Sequence, residues 1–372
     1  MDTTANNIKF DKNNYCNYCS DFLKKYPPNK TKKKVFRDKS LLLKLVNECK
    51  KNGHGKKYDC IIGLSGGIDS SWTLIEVKRL GLRPLAVHFD NGWNAELAQN
   101  NIFNLIDKLD VDLHTHVCDW EEYRSLMQSF FDADVLDLEV LNDNGMLATN
   151  YMQAKKNNLK YILTGTNTST EGIKIPNNWV WLKYDKKIIK SLGKLNNVKV
   201  KTLPLVGVLD IIYYEKIRNI KWISFLDYIE YDKDMALQEL IKNYNYKPYP
   251  YKHYENIFTR FHQGYILPKK FGIDKRKLHL SNLIITNSLT RDEALEMIKE
   301  SPYPSKIDLN NDTEYFLKKM NWTQKNLDSY ISRPFVKNDI YPSEINLYRK
   351  IKKITSSKYL FWLRKLLKNK FQ

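Results

Sequence analysis

Along this chain, short apolar runs are separated by longer amphipathic stretches. "YDCIIGL" (58–64), "RPLAVHFD" (83–90), "LHTHVCD" (113–119) and "YILTGT" (161–166) are compact apolar runs closed by polar or turn-forming residues. Between them the spacing changes to the three-and-four repeat of a helix: Ile68 to Leu80, Asn94 to Leu109, Trp120 to about Asp132, and Met146 to Asn157. A further helical stretch, from about Val35 to Lys51, carries Leu41, Leu42, Leu45 and Val46 ahead of the first strand. Strands alternating with helices of this length predict a Rossmann-like α/β fold, a parallel sheet with helices on both faces. Beyond about residue 205 the pattern turns helical and aromatic-rich, and Thr290 with Glu293 three residues on has the form of a capping box.

Composition adds boundaries to this pattern. With 372 residues and 42% apolar content the chain can bury a sizeable core, which excludes wholesale disorder. Residues 1–35 form a polar segment holding Cys16-x-x-Cys19 and a lysine run; 36–235 hold the strand and helix alternation; 236–345 read as a helical binding region; 346–372 form a basic amphipathic tail. No apolar run is long enough to span a membrane and no signal-peptide layout is visible, so the expectation is a cytoplasmic chain with its five cysteines reduced. The formal charge of +19 raises a nucleic-acid reading, but the lysines are scattered, and a stable nucleic-acid partner is not expected.

The chemistry is concentrated where the first strand ends. In "CIIGLSGGIDSSWTL" (60–74), Gly66 and Gly67 permit a sharp turn and close backbone approach to a ligand. Ser65, Ser70 and Ser71 add hydroxyls, and the following helix offers unpaired N–H groups and the positive end of its dipole. These features suit a phosphate or pyrophosphate. Neither a Walker A loop nor a dinucleotide fingerprint is present. Asp69 would repel a phosphate unless a cation lay between them, which points to a nucleotide with Mg²⁺. In a parallel sheet ligands sit beyond the carboxyl ends of the strands, where Asp90 and the run Thr164–Glu171 also fall.

Ser65-Gly66-Gly67-Ile68-Asp69-Ser70 resembles the SGGxDS motif of PP-loop ATP pyrophosphatases, whose reactions adenylate an oxygen of the substrate and release pyrophosphate. Within that group "HFDNGW" (88–93), "TGTNTSTEGI" (164–173) and "ENIFTRFHQGYILPKKFGIDKRKLHLS" (255–281) are similar to the N-acetyl sugar amidotransferase family, over residues 2 to about 330. That resemblance implies an ATP-dependent, amidine-forming enzyme of surface polysaccharide biosynthesis. It would replace the acetamido oxygen of a nucleotide-linked N-acetyl sugar with ammonia. It also implies partners: a glutaminase and a cyclase-like channel protein that supply the ammonia.

The resemblance further assigns roles. Ser65, Gly66, Gly67, Ser70 and Ser71 would hold the pyrophosphate, with Asp69, Ser70 and Lys174 as the catalytic residues. Asp69 and Glu171 would bind Mg²⁺, and Glu171 would also face the substrate; Gly165, Thr166 and Asn167, similar to a strand end of NAD synthetase, would help bind the nucleotide, and His88, Phe89 and Asp90 would border the adenosine. Lys174 would neutralise phosphate charge, and Arg260, His262, Lys275 and Arg276 would clamp the diphosphate of the sugar nucleotide. Cys16 and Cys19 match one half of a zinc knuckle, a weak zinc site by themselves. The family's Pro-Thr-Asp-His is replaced by Leu141-Asn142-Asp143-Asn144. A tRNA-modifying enzyme using the same adenylation, by lysidine formation or thiolation, and a non-catalytic scaffold are the competing readings.

Overall fold

A computed structural model describes residues 1–26, 39–249 and 254–355. Five parallel strands, β1 (Cys60–Gly63), β2 (Pro84–Asp90), β3 (Leu113–Val117), β4 (Tyr161–Thr164) and β5 (Lys221–Ser224), lie in the order β3-β2-β1-β4-β5. The chain winds one way from β1 to β3 and the other way from β4 to β5, so the strand order reverses between β1 and β4. A crevice opens at the carboxyl edge at such a reversal.

Alternate residues of the central strands point to opposite faces, and both faces are apolar. Cys60 and Ile62 pack with α2 (Lys39–Gly53), α3 (Ile68–Arg79) and α4 (Glu96–Leu109) through Leu45, Val46, Leu74, Ile75, Ile102 and Leu105. Ile61, Leu85, Val87 and Ile162 face the other way, onto Ala148, Tyr151 and Ala154 of α6 (Val140–Lys156). A third, aromatic cluster joins α5 (Trp120–Asp132) to the C-terminal helices: Trp93, Phe130 and Phe131 meet Phe258, Phe261, Phe316 and Tyr330. The expected α/β fold with a mainly helical C-terminal part is therefore what the chain adopts, after a Cys-containing segment with α1 (Asn17–Lys25).

Two elements differ from expectation. β5 falls where only helices were expected; it is a short edge strand with its first residue exposed, so it lacks a strong apolar run. α6 begins at Val140 instead of Met146. Its polar Asn142-Asp143-Asn144 reads as a turn, because such side chains compete for local backbone groups. Tertiary partners override that tendency: buried Asn144 donates to the carbonyls of Lys183 and Val206, both at 2.8 Å, and accepts from Val206 N–H at 3.0 Å. The capping box at Thr290 and Glu293 forms as expected. The lysine run at 30–34 and the tail beyond residue 355, including Trp362 and Leu363, lie outside the described residues.

Candidate functional site

The loop between β1 and α3 is held by its own hydroxyls. Ser70 Oγ accepts from Ser65 N–H (3.2 Å), lies 3.1 Å from Ser65 Oγ and donates to the Gly67 carbonyl (3.1 Å). Gly66 sits at φ +83°, a left-handed conformation costly for any residue with a Cβ, and a Cβ there would lie 2.7 Å from the Ala98 carbonyl oxygen. The Gly66 carbonyl accepts hydrogen bonds from Tyr246 and Tyr249, each at 3.0 Å. The first i→i−4 bond of α3 is Ser71 N–H to Gly67 O (3.1 Å), so the N–H groups before it have no helical acceptor. Asp69 stands in that first turn and accepts a hydrogen bond from the Tyr231 hydroxyl.

The turn after β4 approaches this loop closely. A Cβ on Gly165 would lie 2.6 Å from the backbone carbon of Asp69, so only glycine lets the two strand ends meet. Thr164 and Thr166 hydroxyls are 2.8 Å apart, and Thr166 reaches Ser224 Oγ at 2.8 Å.

Between these strand ends and the helices above them is a cavity of about 430 Å³. Of the sequence-expected residues, Ser65, Asp69, Ser70, His88, Phe89, Gly165, Thr166, Glu171 and Lys275 line it. His88 is buried and held by Leu64 O at 2.8 Å from Nδ1 and Asn94 Nδ2 at 3.0 Å from Nε2; burial lowers its pKa and favours the neutral ring. Asp90 borders a neighbouring cleft of about 300 Å³, shared with His88 and walled by Ile102, Phe103, Ile106 and Leu113. There the Asp90 carboxylate accepts from Gly92 N–H (2.9 Å) and Asn94 Nδ2 (3.1 Å).

Other expected residues are placed elsewhere, for identifiable reasons. The Ser71 side chain is fully buried on α3, away from the cavity. Asn167 caps the turn Thr168–Glu171 by accepting from Thr170 N–H at 2.9 Å. Lys174 is exposed and off the cavity wall. Arg260 stacks on Tyr254 with its guanidinium 4.0 Å from the ring centre and forks onto Asp312, which Tyr303 also contacts. Arg276 is spent on Asp274 and on carbonyls of residues 297, 298, 300 and 301. His262 is buried behind the wall, with Nδ1 3.6 Å from Glu139. These are structural placements, so a diphosphate clamp of Arg260, His262 and Arg276 does not form.

Cys16 and Cys19 make a buried pair, Sγ to Sγ 3.3 Å. The hydrogen bond between the two sulfurs pulls the Cys16 thiol down to about 6, and the same contact pushes Cys19 up. Among the described residues no group of three or more His, Cys, Asp or Glu is placed to hold a metal, so the expected zinc site is not supported.

The far wall was not foreseen. Along one face of α6 and the residue before it run Glu139, Asp143, Met146 and Asn150, all lining the cavity with Lys183, Glu255, Gln263 and Lys275. Glu139 accepts from Lys275 Nζ at 2.6 Å and Gln263 Nε2 at 3.0 Å. Lys183 Nζ bridges Asp137 at 2.8 Å and Asp143 at 2.7 Å. Only the four-residue spacing of Glu139 and Asp143 could have suggested this wall. In a chain of net charge +19, the cavity is lined by five carboxylates against two lysines.

Residues 255–354, about a quarter of the chain, match the family model described as LPS biosynthesis protein WbpG-like, C-terminal domain. No curated protein matches. Among solved structures, the NMN synthetase of Francisella tularensis is 20% identical over 58% of this chain and 98% of its own, with a TM-score of 0.28. The NH3-dependent NAD synthetase of Campylobacter jejuni is 16% identical over 57% of this chain and 99% of its own, with a TM-score of 0.28. The NAD+ synthetase of Burkholderia pseudomallei is 15% identical over 62% and 96%, with a TM-score of 0.26. Those similarities are weak in three dimensions, and the character of the core rests on its own sheet order and Ser65–Ser70 loop. The chain thus joins a five-stranded parallel α/β core carrying the Ser65–Ser70 loop to a C-terminal region that matches the WbpG-like domain model.

Proposed function

We propose that this protein is an ATP-dependent, AMP-forming amidotransferase that converts the acetamido group of a nucleotide-linked N-acetyl sugar into an acetamidino group for surface polysaccharide. The observation that carries this reading is the cavity itself. A hydroxyl- and glycine-built loop forms one side, a charged wall faces it, and residues of the WbpG-like region (Glu255, Asn256, Thr259, Gln263 and Lys275) close it.

An amide carbon is a poor electrophile, and its oxygen is a poor leaving group. The loop at Ser65–Ser70 would hold ATP with its α-phosphorus near the acetamido oxygen, and the helix N–H groups would stabilise the departing pyrophosphate. Once the oxygen belongs to AMP, ammonia displaces it. Asp69 and Glu171 both line the cavity and offer hard oxygen donors, the set Mg²⁺ takes together with nucleotide phosphates and water. Bound there, Mg²⁺ would neutralise phosphate charge. The apolar walls of the cleft beside His88 and Asp90 suit the adenine ring. Lys275 lines the cavity but is paired with Glu139 at 2.6 Å, so it would contact a sugar-nucleotide phosphate only by sharing or leaving that carboxylate; a glutaminase with a cyclase-like channel protein remains the proposed ammonia source.

The test is to incubate the protein with ATP, Mg²⁺, ammonium and a panel of N-acetyl sugar nucleotides. AMP release together with the mass change of O to NH in one sugar supports the reading; neither product with any sugar contradicts it.

A further inference from the structure

The last helix of the described residues leaves its apolar stripe uncovered. In α8 (Ile345–Thr355) the side chains of Leu347, Ile351 and Ile354 recur at the spacing of one helical stripe. No residue of this helix is buried, and Leu347 and Ile354 are 37% and 58% exposed. Tyr348 lies off the stripe and rests edge-on against Tyr184, ring centres 5.9 Å apart. That contact holds the helix to the protein without covering Leu347 or Ile354. Arg349, Lys350, Lys352 and Lys353 occupy the other sides, and the helix carries no acid.

A second basic helix is tied to its root. In α7 (Lys186–Gly193) Lys186 pairs with Asp210, but Lys187, Lys190 and the following Lys194 recur at three and four residues and so share one face. All three are exposed, and none is ion-paired among the described residues. Buried Asp185 caps α7 by accepting from Ile188 N–H (3.0 Å) and also accepts from Glu344 N–H (2.9 Å). Ser191 Oγ lies 2.8 Å from the Pro342 carbonyl oxygen. Exposed Leu209 follows Val208, whose N–H donates to the Glu344 carboxylate at 2.8 Å. The two basic helices therefore share one anchor.

We infer that α8, with the basic face of α7, docks the protein on a membrane leaflet rich in anionic lipids. Leu347 and Ile354 enter the boundary between headgroups and acyl chains, and the surrounding cations meet lipid phosphates. Charge complementarity selects this occupant. The sequence continues past α8 to Gln372 with five more Lys or Arg and no Asp or Glu. A nucleic acid would use the cations but leave Leu347 and Ile354 in water. A protein partner would draw on aromatic and arginine anchors, and lysine is depleted at the centre of such contacts. Lysines around a narrow aliphatic stripe suit a charged bilayer surface, where their stems lie along apolar groups and their ammonium heads stay in water. With 11 residues α8 is too short to cross the bilayer core, so it lies in the plane of the interface. No residue of α7 or α8 lines the cavity, so this role is independent of the reaction proposed above.

Flotation of the full chain with lipid vesicles is the test. Affinity for mixed phosphatidylglycerol–phosphatidylcholine vesicles should exceed that for pure phosphatidylcholine by about 100-fold or more at low salt, and should fall steeply as salt is added. Leu347→Ser combined with Ile354→Ser should lower affinity for the anionic vesicles by at least about tenfold. Both sites are exposed, so the melting temperature should not change. Replacing Lys187, Lys190, Arg349 and Lys350 together by glutamine should cost about 100-fold. Equal affinity for neutral and anionic vesicles, binding to neither, or full binding by the serine double variant overturns the proposal. Binding to polyglutamate or RNA as tight as to anionic vesicles, and indifferent to the serine changes, would assign the patch to an acidic protein or a nucleic acid and overturns it as well.

Discussion

The two walls of the cavity are built by different means. The loop wall is made of two short contiguous segments, residues 63–70 and 164–166, each at the carboxyl end of a neighbouring strand, and their chemistry is that of backbone, hydroxyls and glycine. The opposite wall is assembled from side-chain charges at 137–143, 183 and 255–275, which are distant in sequence and meet only when α6 and the C-terminal helices pack. A local wall can be recognised from a short motif. A charged wall built over such separations depends on the whole fold, and its energetics are those of buried ions. On the proposed reading the first wall would hold phosphate, while the second sets buried charge against it.

Substitutions can break this contrast. The largest effect is expected at Asp69→Asn, which preserves shape and the contact with Tyr231 but removes a carboxylate from the loop. AMP formation should drop by at least about 100-fold with an unchanged melting temperature. Near-normal turnover would remove Asp69 from its proposed role.

On the opposite wall a charge deletion should instead be felt as stability. Lys183→Met leaves Asp137, 2% exposed, without its cation, at a cost of about 3–5 kcal/mol. Denaturant titration of Lys183→Met should show that loss, and a stability equal to wild type would mean the bridge is idle.

A smaller change sharpens the loop side. Tyr231→Phe removes only the hydroxyl that contacts Asp69, worth about 1 kcal/mol. A several-fold rise in the Mg²⁺ concentration needed for half-maximal rate, without a change in KM for ammonium, is the expected readout.

The smallest effect concerns His88, which both cavities share. Its folded pKa is lowered by burial, so on acidification the unfolded chain takes up the proton first. Its contribution to stability is intact above about pH 6.5 and is lost as pH falls from there toward the folded value. Unfolding of His88→Gln should be less acid-sensitive than wild type across that window; identical profiles would show that His88 is not buried neutral.

How much was legible follows the same division. β1 to β4, the helices between them and the Ser65–Ser70 loop could be read because each is a contiguous pattern with one physical cause. β5 could not, since a half-exposed edge strand lacks the apolar run that marks the others. Glu139, Asp143 and Lys183 look like ordinary surface charges in sequence, and nothing local says that Gln263 and Lys275 will meet them. Arg260 and Arg276 illustrate the converse. A basic stretch suggested phosphate binding, but Asp312 and Asp274 claim both guanidinium groups once the C-terminal helices fold. Charge type was readable, but charge partner was not.

The central claim, under the proposed function, is that the acetamido oxygen becomes part of AMP before nitrogen replaces it. A sugar nucleotide carrying a heavy oxygen isotope in its acetamido carbonyl tests it most directly. After turnover with ATP and ammonium, mass spectrometry should find the label in the phosphate of AMP. Label recovered in water, pyrophosphate or inorganic phosphate, with AMP unlabelled, would contradict the account.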